Sequence, residues 1–220
     1  MTTKLSGPML PAKSGAAPKQ LMVLLHGYGA DGSDLIGLGL QWRDLFPDML
    51  FVAPNAPEPC DINPAGYQWF PLAIDRAAGR IEGAAKARPV LVEFVRDLWT
   101  QTGLGASDTV LCGFSQGAMM ALHVGTSLDD ELAGIVAFSG AFIPPEGFGA
   151  KPFAKPPVAI IHGDLDGVVP VQFSRDAAAM LAVAGFDVGF HISPGAAHGI
   201  APDGLDFATG FLVSHIPAKA

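Results

Sequence analysis

Residues 109–122 read TVLCGFSQGAMMAL. A short β-branched and apolar run passes through Gly113-Phe114-Ser115-Gln116-Gly117 and continues directly into an Ala/Met/Leu segment of helical composition. A serine set between glycines at a strand-to-helix junction sits on a sharp turn that leaves its hydroxyl accessible while the helix passes close to the strand. This is the sequence form of a nucleophile elbow. The helix N-terminus behind it adds partial positive charge, which favours an anionic tetrahedral intermediate. Ser115 is therefore the candidate nucleophile.

Working outward, strand-like and helix-like signals alternate along the chain. Leu21–Leu25, Leu50–Ala53, Thr109–Cys112, Ile135–Phe138, Val158–Ile161 and Val188–Ile192 are short apolar runs of the kind found in strands covered on both faces. Between them, Val90, Leu91, Phe94, Val95 and Leu98 recur at helical spacing, with Glu93, Arg96 and Asp97 on the opposite side. Residues 117–127, 172–184 and 203–215 also read as helices. Such alternation predicts an α/β fold: a mostly parallel sheet with helices on both faces and ligands at the carboxyl ends of its strands. The Pro/Ser/Gly-rich residues 1–19 read as a flexible leader, and 20–220 as one domain. The stretch 141–157 is too short to be an inserted lid domain.

The 220 residues, 50% hydrophobic and 15% charged, supply apolar surface for one sizeable core and are short for two. A net charge of -8 with 13 scattered Lys and Arg disfavours nucleic acid and anionic membrane surfaces as partners. Cys60 and Cys112 are too few for a disulfide framework, so a reducing, cytoplasmic location is expected. The first twenty residues lack the apolar h-region of a signal peptide, and no membrane span is indicated. No His-Glu-x-x-His pattern suggests a metal site, and no cofactor is expected. A homodimer is an expectation that the sequence alone does not test.

A serine hydroxyl needs a histidine to take its proton and a carboxylate to orient that histidine. His198 lies in PGAAHG, after the strand ending near Ile192 and before the last helix, at a strand's carboxyl end. It also completes the chain order serine, acid, histidine. His191 sits within a strand pattern, His123 on the helix after the elbow and His215 in the C-terminal helix; each reads as a packing or surface residue. The acid falls in HGDLDGVVP, residues 162–170, where Asp164 and Asp166 compete and spacing does not decide between them. Asp166, further out on the loop, is the favoured partner of His198. Asp164 is assigned to holding the turn.

The oxyanion of an acyl-transfer intermediate needs two amide donors, one from the residue after the nucleophile and one from the loop after an early strand. Gln116 supplies the first, and Tyr28 in LLHGYGADG (24–32) is the expected second. His26 reads as a residue that holds this loop by hydrogen bonding.

These blocks together carry a resemblance. LLHGYGADG, VAPNAP (52–57), QWF (68–70), GFSQGAMMAL, FSG (138–140), HGDLDGVVP and PGAAHG make the chain similar, from 21 to 200, to the bacterial carboxylesterase and phospholipase family that includes the acyl-protein thioesterases. The resemblance implies an α/β-hydrolase fold and a cofactor-free serine esterase acting on a small-molecule ester, with the roles given above for Ser115, Asp166, His198, Tyr28 and Gln116. The segment CDINPAGYQWFPLA (60–73) departs from the eukaryotic thioesterase pattern, so short- to medium-chain carboxylic esters are the expected substrates. Lysophospholipids and acyl-proteins are the alternatives. Trp69, Phe70 and Leu72 in that segment are candidates for the acyl pocket, with a core role equally open for Trp69. A dienelactone-hydrolase-like enzyme would carry cysteine where this elbow has Ser115, and a non-catalytic binding module would not need the full set of nucleophile, base and acid.

Overall fold

In the computed structural model, residues 4–72, 76–150 and 153–216 are described. Their elements are, in chain order, β1 (Met9–Leu10), β2 (Gln20–Leu25), α1 (Gly32–Trp42), β3 (Met49–Val52), β4 (Glu58–Pro59), β5 (Tyr67–Gln68), α2 (Arg76–Thr102), β6 (Thr109–Phe114), α3 (Gln116–Gly125), β7 (Gly134–Phe138), β8 (Val158–Gly163), α4 (Gln172–Val183), β9 (Val188–Ser193) and α5 (Pro202–His215). All six expected strands form. They join β1 in one sheet of order β1-β3-β2-β6-β7-β8-β9, parallel throughout except for the antiparallel β1–β3 pair.

The strands read as continuous apolar runs because both faces of the sheet are covered. Side chains alternate along β2: Leu21, Val23 and Leu25 pack with α2, α3 and α4, whereas Met22 and Leu24 pack with α1 and α5. On the second face Trp42 Nε1 donates to Thr209 Oγ1 at 2.8 Å, so a buried indole joins α1 to α5 and satisfies its N–H. No helix among the described residues is long and apolar enough to cross a membrane. The arrangement is that of an α/β hydrolase, with no lid domain among the described residues. Between β7 and β8 the described residues of 141–157 are irregular apart from turns at 146–150, and are pinned where Phe148 packs edge-on against Phe142 and stacks on Phe186.

Three features differ from the sequence expectation. The leader is strapped onto the sheet: Met9 and Leu10 pair with Val52 and Phe51, Leu5 and Ala12 are buried, and Pro8 O accepts the Ala53 amide at 3.0 Å. The physical reason is that β3 would otherwise be an open edge, whose free donors and acceptors the Pro-rich extended leader pairs. Helix α1 was hidden by Gly32, Gly37 and Gly39, which depress helix propensity; its start is set by Asp31, which accepts the Ser33 amide at 2.7 Å. Helix α2 extends well beyond the periodic 90–98 segment and contains Pro89.

The topology gathers the chemistry at one end. Tyr28 follows β2, Ser115 follows β6, Asp166 follows β8 and His198 follows β9, all at carboxyl ends of parallel strands.

Candidate active site

Ser115 sits at φ 53° and ψ -116°, in a region that non-glycine residues avoid. The strain is maintained from both sides: its amide donates to Phe138 O at 2.9 Å and its carbonyl accepts the Met119 amide at 3.1 Å. Gly117 makes the close crossing possible, since a Cβ there would lie 1.9 Å from Leu25 O. The helix can therefore start immediately behind the nucleophile.

His198 Nε2 lies 3.0 Å from Ser115 Oγ, and His198 Nδ1 lies 2.6 Å from Asp166 Oδ2. Because a carboxylate only accepts, Nδ1 carries the ring hydrogen and Nε2 presents its lone pair to the serine hydroxyl. Phe114 supports the ring, with centroids 4.9 Å apart. Asp166 has a fully buried side chain. Burial pushes its pKa up, but the hydrogen bond from His198 and those from the Val169 and Val168 amides outweigh it and hold the carboxyl below its usual range. Both amide bonds are 2.8 Å, to Oδ1. Asp164 points elsewhere and accepts the Gly195 amide at 2.6 Å, while Leu165 N donates to Ala196 O at 2.9 Å. The acid loop and the histidine loop are thereby stitched together.

The loop after β2 runs along Ser115, where a Cβ at Gly27 would lie 3.4 Å from Ser115 Cβ. His26 holds this loop as a neutral ring. Its Nε2 accepts the Ala56 amide at 2.9 Å, its Nδ1–H donates to Gly27 O at 2.7 Å, and burial lowers its pKa. The Tyr28 phenol is pushed up to about 12, first by burial and then by a hydrogen bond with Cys60. Gln116 opens α3, where first-turn amides have no intrahelical acceptor. Tyr28 lies in the loop after β2 and Gln116 directly follows Ser115, and their backbone amides are the candidate donors of an oxyanion site.

The segment 60–70 clamps the loop after β2. Gly29 N donates to Tyr67 O at 2.9 Å, Tyr67 N to Ala30 O at 2.8 Å and Asn63 Nδ2 to Gly29 O at 2.7 Å. Trp69 Nε1 donates to His26 O at 3.0 Å. The Gln116 side chain closes the circuit, with Oε1 accepting Trp69 N at 2.9 Å and Nε2 donating to Phe70 O at 2.7 Å. Trp69 and Phe70, expected as candidates for the acyl pocket, are each 1% exposed and belong to the core beneath α2 and α3, so neither offers a ligand free surface. Leu72 is 53% exposed. The signal available in the sequence was the chemistry of Trp69 itself, whose N–H must find an acceptor once the ring is buried.

A prediction follows for this clamp. Trp69→Ala should destabilise the protein by about 3–5 kcal/mol through lost core packing, measured by denaturant unfolding, and leave the ester chain-length preference where it is. A shift toward longer chains in the folded variant would return Trp69 to the acyl site.

A strained serine and an oriented imidazole at the carboxyl ends of a parallel sheet, in a chain of this family, define an ester-hydrolysing serine hydrolase. The chain belongs to the phospholipase/carboxylesterase family, whose profile matches residues 12–216. Among solved structures, that of esterase PE8 is 59% identical and superposes with a TM-score of 0.93, covering 97% of this chain and all of that one. Esterase YpfH of Escherichia coli K12 is 32% identical over 204 residues, spanning 90% of this chain and 84% of its own length. Acyl-protein thioesterase 1 of Neurospora crassa is 29% identical over 232 residues, spanning 97% of this chain and 94% of that protein.

Proposed function

We propose that this protein is a serine carboxylesterase that cleaves short- to medium-chain carboxylic esters through a Ser115–His198–Asp166 triad and an acyl-enzyme. The observation that carries the reading is the continuous chain of contacts from Ser115 Oγ to His198 Nε2 at 3.0 Å and from His198 Nδ1 to Asp166 Oδ2 at 2.6 Å. Ser115 Oγ attacks the ester carbonyl carbon while His198 Nε2 takes the hydroxyl proton. Negative charge then moves onto the carbonyl oxygen, where the amides of Tyr28 and Gln116 stabilise it. As the intermediate collapses, the bond to the alcohol oxygen breaks and His198 returns the proton to that oxygen. Water enters, gives a proton to His198 and attacks the acyl carbon; a second collapse returns the proton to Ser115 and frees the acid.

Chain-length preference is drawn from the surface around the triad. Leu165 and Val168 flank Asp166 on the acid loop and are each 66% exposed, and Leu72 stands exposed beside the clamp. They offer apolar contact to a few methylenes, with no lid domain among the described residues to sheath a longer chain. Each methylene seated there strengthens transition-state binding by about 0.8 kcal/mol until the contact surface is used up. Specificity constants for p-nitrophenyl esters should climb from acetate to an optimum at roughly butanoate to octanoate on that area-based estimate, then fall. An optimum at palmitate would overturn the substrate class. The thioesterases among the relatives support acyl-thioesters as a second reading; the same series run on acyl thioesters separates the two.

A further inference from the structure

Trp69 is bonded to both segments that carry the candidate oxyanion donors. Its backbone amide donates to Gln116 Oε1 at 2.9 Å, and its indole Nε1–H donates to His26 O at 3.0 Å. Gln116 directly follows the nucleophile, and His26 stands two residues before Tyr28 on the loop after β2. The other arm of the Gln116 carboxamide is also used, since Nε2 donates to Phe70 O at 2.7 Å. Trp69, Phe70, Gln116 and His26 are all buried, so water does not compete for these bonds. Beyond Tyr28 the same segment holds the loop again, with Gly29 N donating to Tyr67 O and Tyr67 N to Ala30 O. Tyr28 is therefore bracketed by loop residues bonded to Tyr67 and Trp69. The two donor segments leave different strands, β2 and β6, and a path of hydrogen bonds through the Gln116 carboxamide and the Trp69 indole joins them.

We propose that the side chains of Gln116 and Trp69 are positioning groups of the reaction: together they form a bridge that fixes the Gln116 amide relative to the Tyr28 amide, so that both donors are in place when the ester oxygen becomes anionic. This rests on the triad and oxyanion reading above. Donors that are held before the reaction cost no reorganisation at the moment charge develops, and their benefit falls on the transition state rather than on the bound ester. The bridge is in series, running from the Gln116 carboxamide through the backbone and indole of Trp69 to His26 O. Breaking either link frees the two amides from one another, and breaking both adds little.

Trp69→Phe keeps an aromatic ring in the core and removes the indole N–H, while Gln116→Met keeps the length of the side chain and removes the carboxamide. Each should lower kcat/KM for a p-nitrophenyl ester roughly 10- to 100-fold, short of the roughly 10²- to 10³-fold loss of a whole oxyanion donor, with KM held within about twofold. The double variant should lose little more than the larger single loss, as links in series require. A trifluoromethyl ketone gives the readout that a merely structural role would not move. Ser115 Oγ adds to its carbonyl carbon, the hydroxyl proton passes to His198, and the carbonyl oxygen becomes an oxyanion that the two amides must bind. Its inhibition constant should weaken by the same factor as kcat/KM in each variant. Unchanged ketone inhibition in a folded variant, or a loss of rate carried wholly by KM, overturns the proposal. Should both variants fail to fold, hydrogen exchange in the unsubstituted protein decides: by reciprocity the ketone adduct tightens the bridge and slows exchange of the Trp69 indole N–H, and unaltered exchange overturns it. Fluorophosphonate labelling of the unsubstituted protein tests the triad separately. No adduct on Ser115 condemns the triad, whereas an adduct there with indifferent Trp69 and Gln116 variants condemns only the bridge.

Discussion

Ser115→Ala should lower ester turnover by roughly 10³-fold or more while leaving the fold intact, because under the proposed mechanism the variant loses the atom that becomes acylated. The residual rate above water would come from the Tyr28 and Gln116 amides and from substrate binding, which the substitution leaves in place. Stability should change little, since alanine inherits the same unfavourable φ of 53° that serine tolerates. Ser115→Gly would be equally inactive yet about 1 kcal/mol more stable, because glycine adopts that backbone without strain. Denaturant unfolding of the two inactive variants therefore reads out the strain, and intact-mass analysis after fluorophosphonate treatment reads out the nucleophile. A single adduct on the parent protein and none on Ser115→Ala is the expected result; an adduct on any other residue would move the nucleophile elsewhere.

The parallel strands were legible because burial on both faces imposes one rule on every residue. Val158–Ile161 has no polar position, so composition alone marks it as a central strand. Elements whose stability comes from neighbours were not legible. The Met9–Leu10 strand exists because β3 offers it an edge, and α1 exists because Asp31 caps it and Leu35 and Trp42 bury against the sheet, despite glycines that argue locally against a helix.

The same division runs through the site. The meeting of Ser115, His198 and Asp166 could be read because acyl transfer demands those residue types at strand ends in that chain order. The second layer could not. Gln116 was assigned for its backbone amide, yet its side chain also ties Trp69 and Phe70 to the elbow. His162 looked like the first letter of a loop motif, and only the fold reveals that its buried ring bridges Val169 O and Ser174 Oγ. Bulky residues near a predicted active face suggested a pocket, whereas the buried ring of Trp69 is anchored to His26 O. Aromatic bulk is equally suited to either role, and the direction of the side chain decides which.

The two aspartates of the acid loop should separate cleanly by substitution. In Asp166→Asn the amide oxygen can stay on the Val168 and Val169 N–H groups, which turns its NH2 toward His198 Nδ1 and His162 Nε2, two nitrogens that donate in the parent protein. His198 can answer only by moving its hydrogen to Nε2, the atom that must accept the serine proton. Turnover should fall by about 10⁴-fold through this tautomer reversal. The opposed donors should also cost about 1–3 kcal/mol of stability at neutral pH. That cost has a defined pH course. Because the folded carboxyl of Asp166 is held below its usual range, the stability it contributes is complete above the pKa of the unfolded chain and is lost as pH falls through the folded value. The gap between parent and Asp166→Asn should therefore narrow in acid. Asp164→Ala removes only the acceptor for the Gly195 amide on an exposed turn, and should cost about 1 kcal/mol with less than a tenfold effect on turnover. A large loss of turnover at Asp164 with Asp166→Asn still active would transfer the triad acid from one carboxylate to the other.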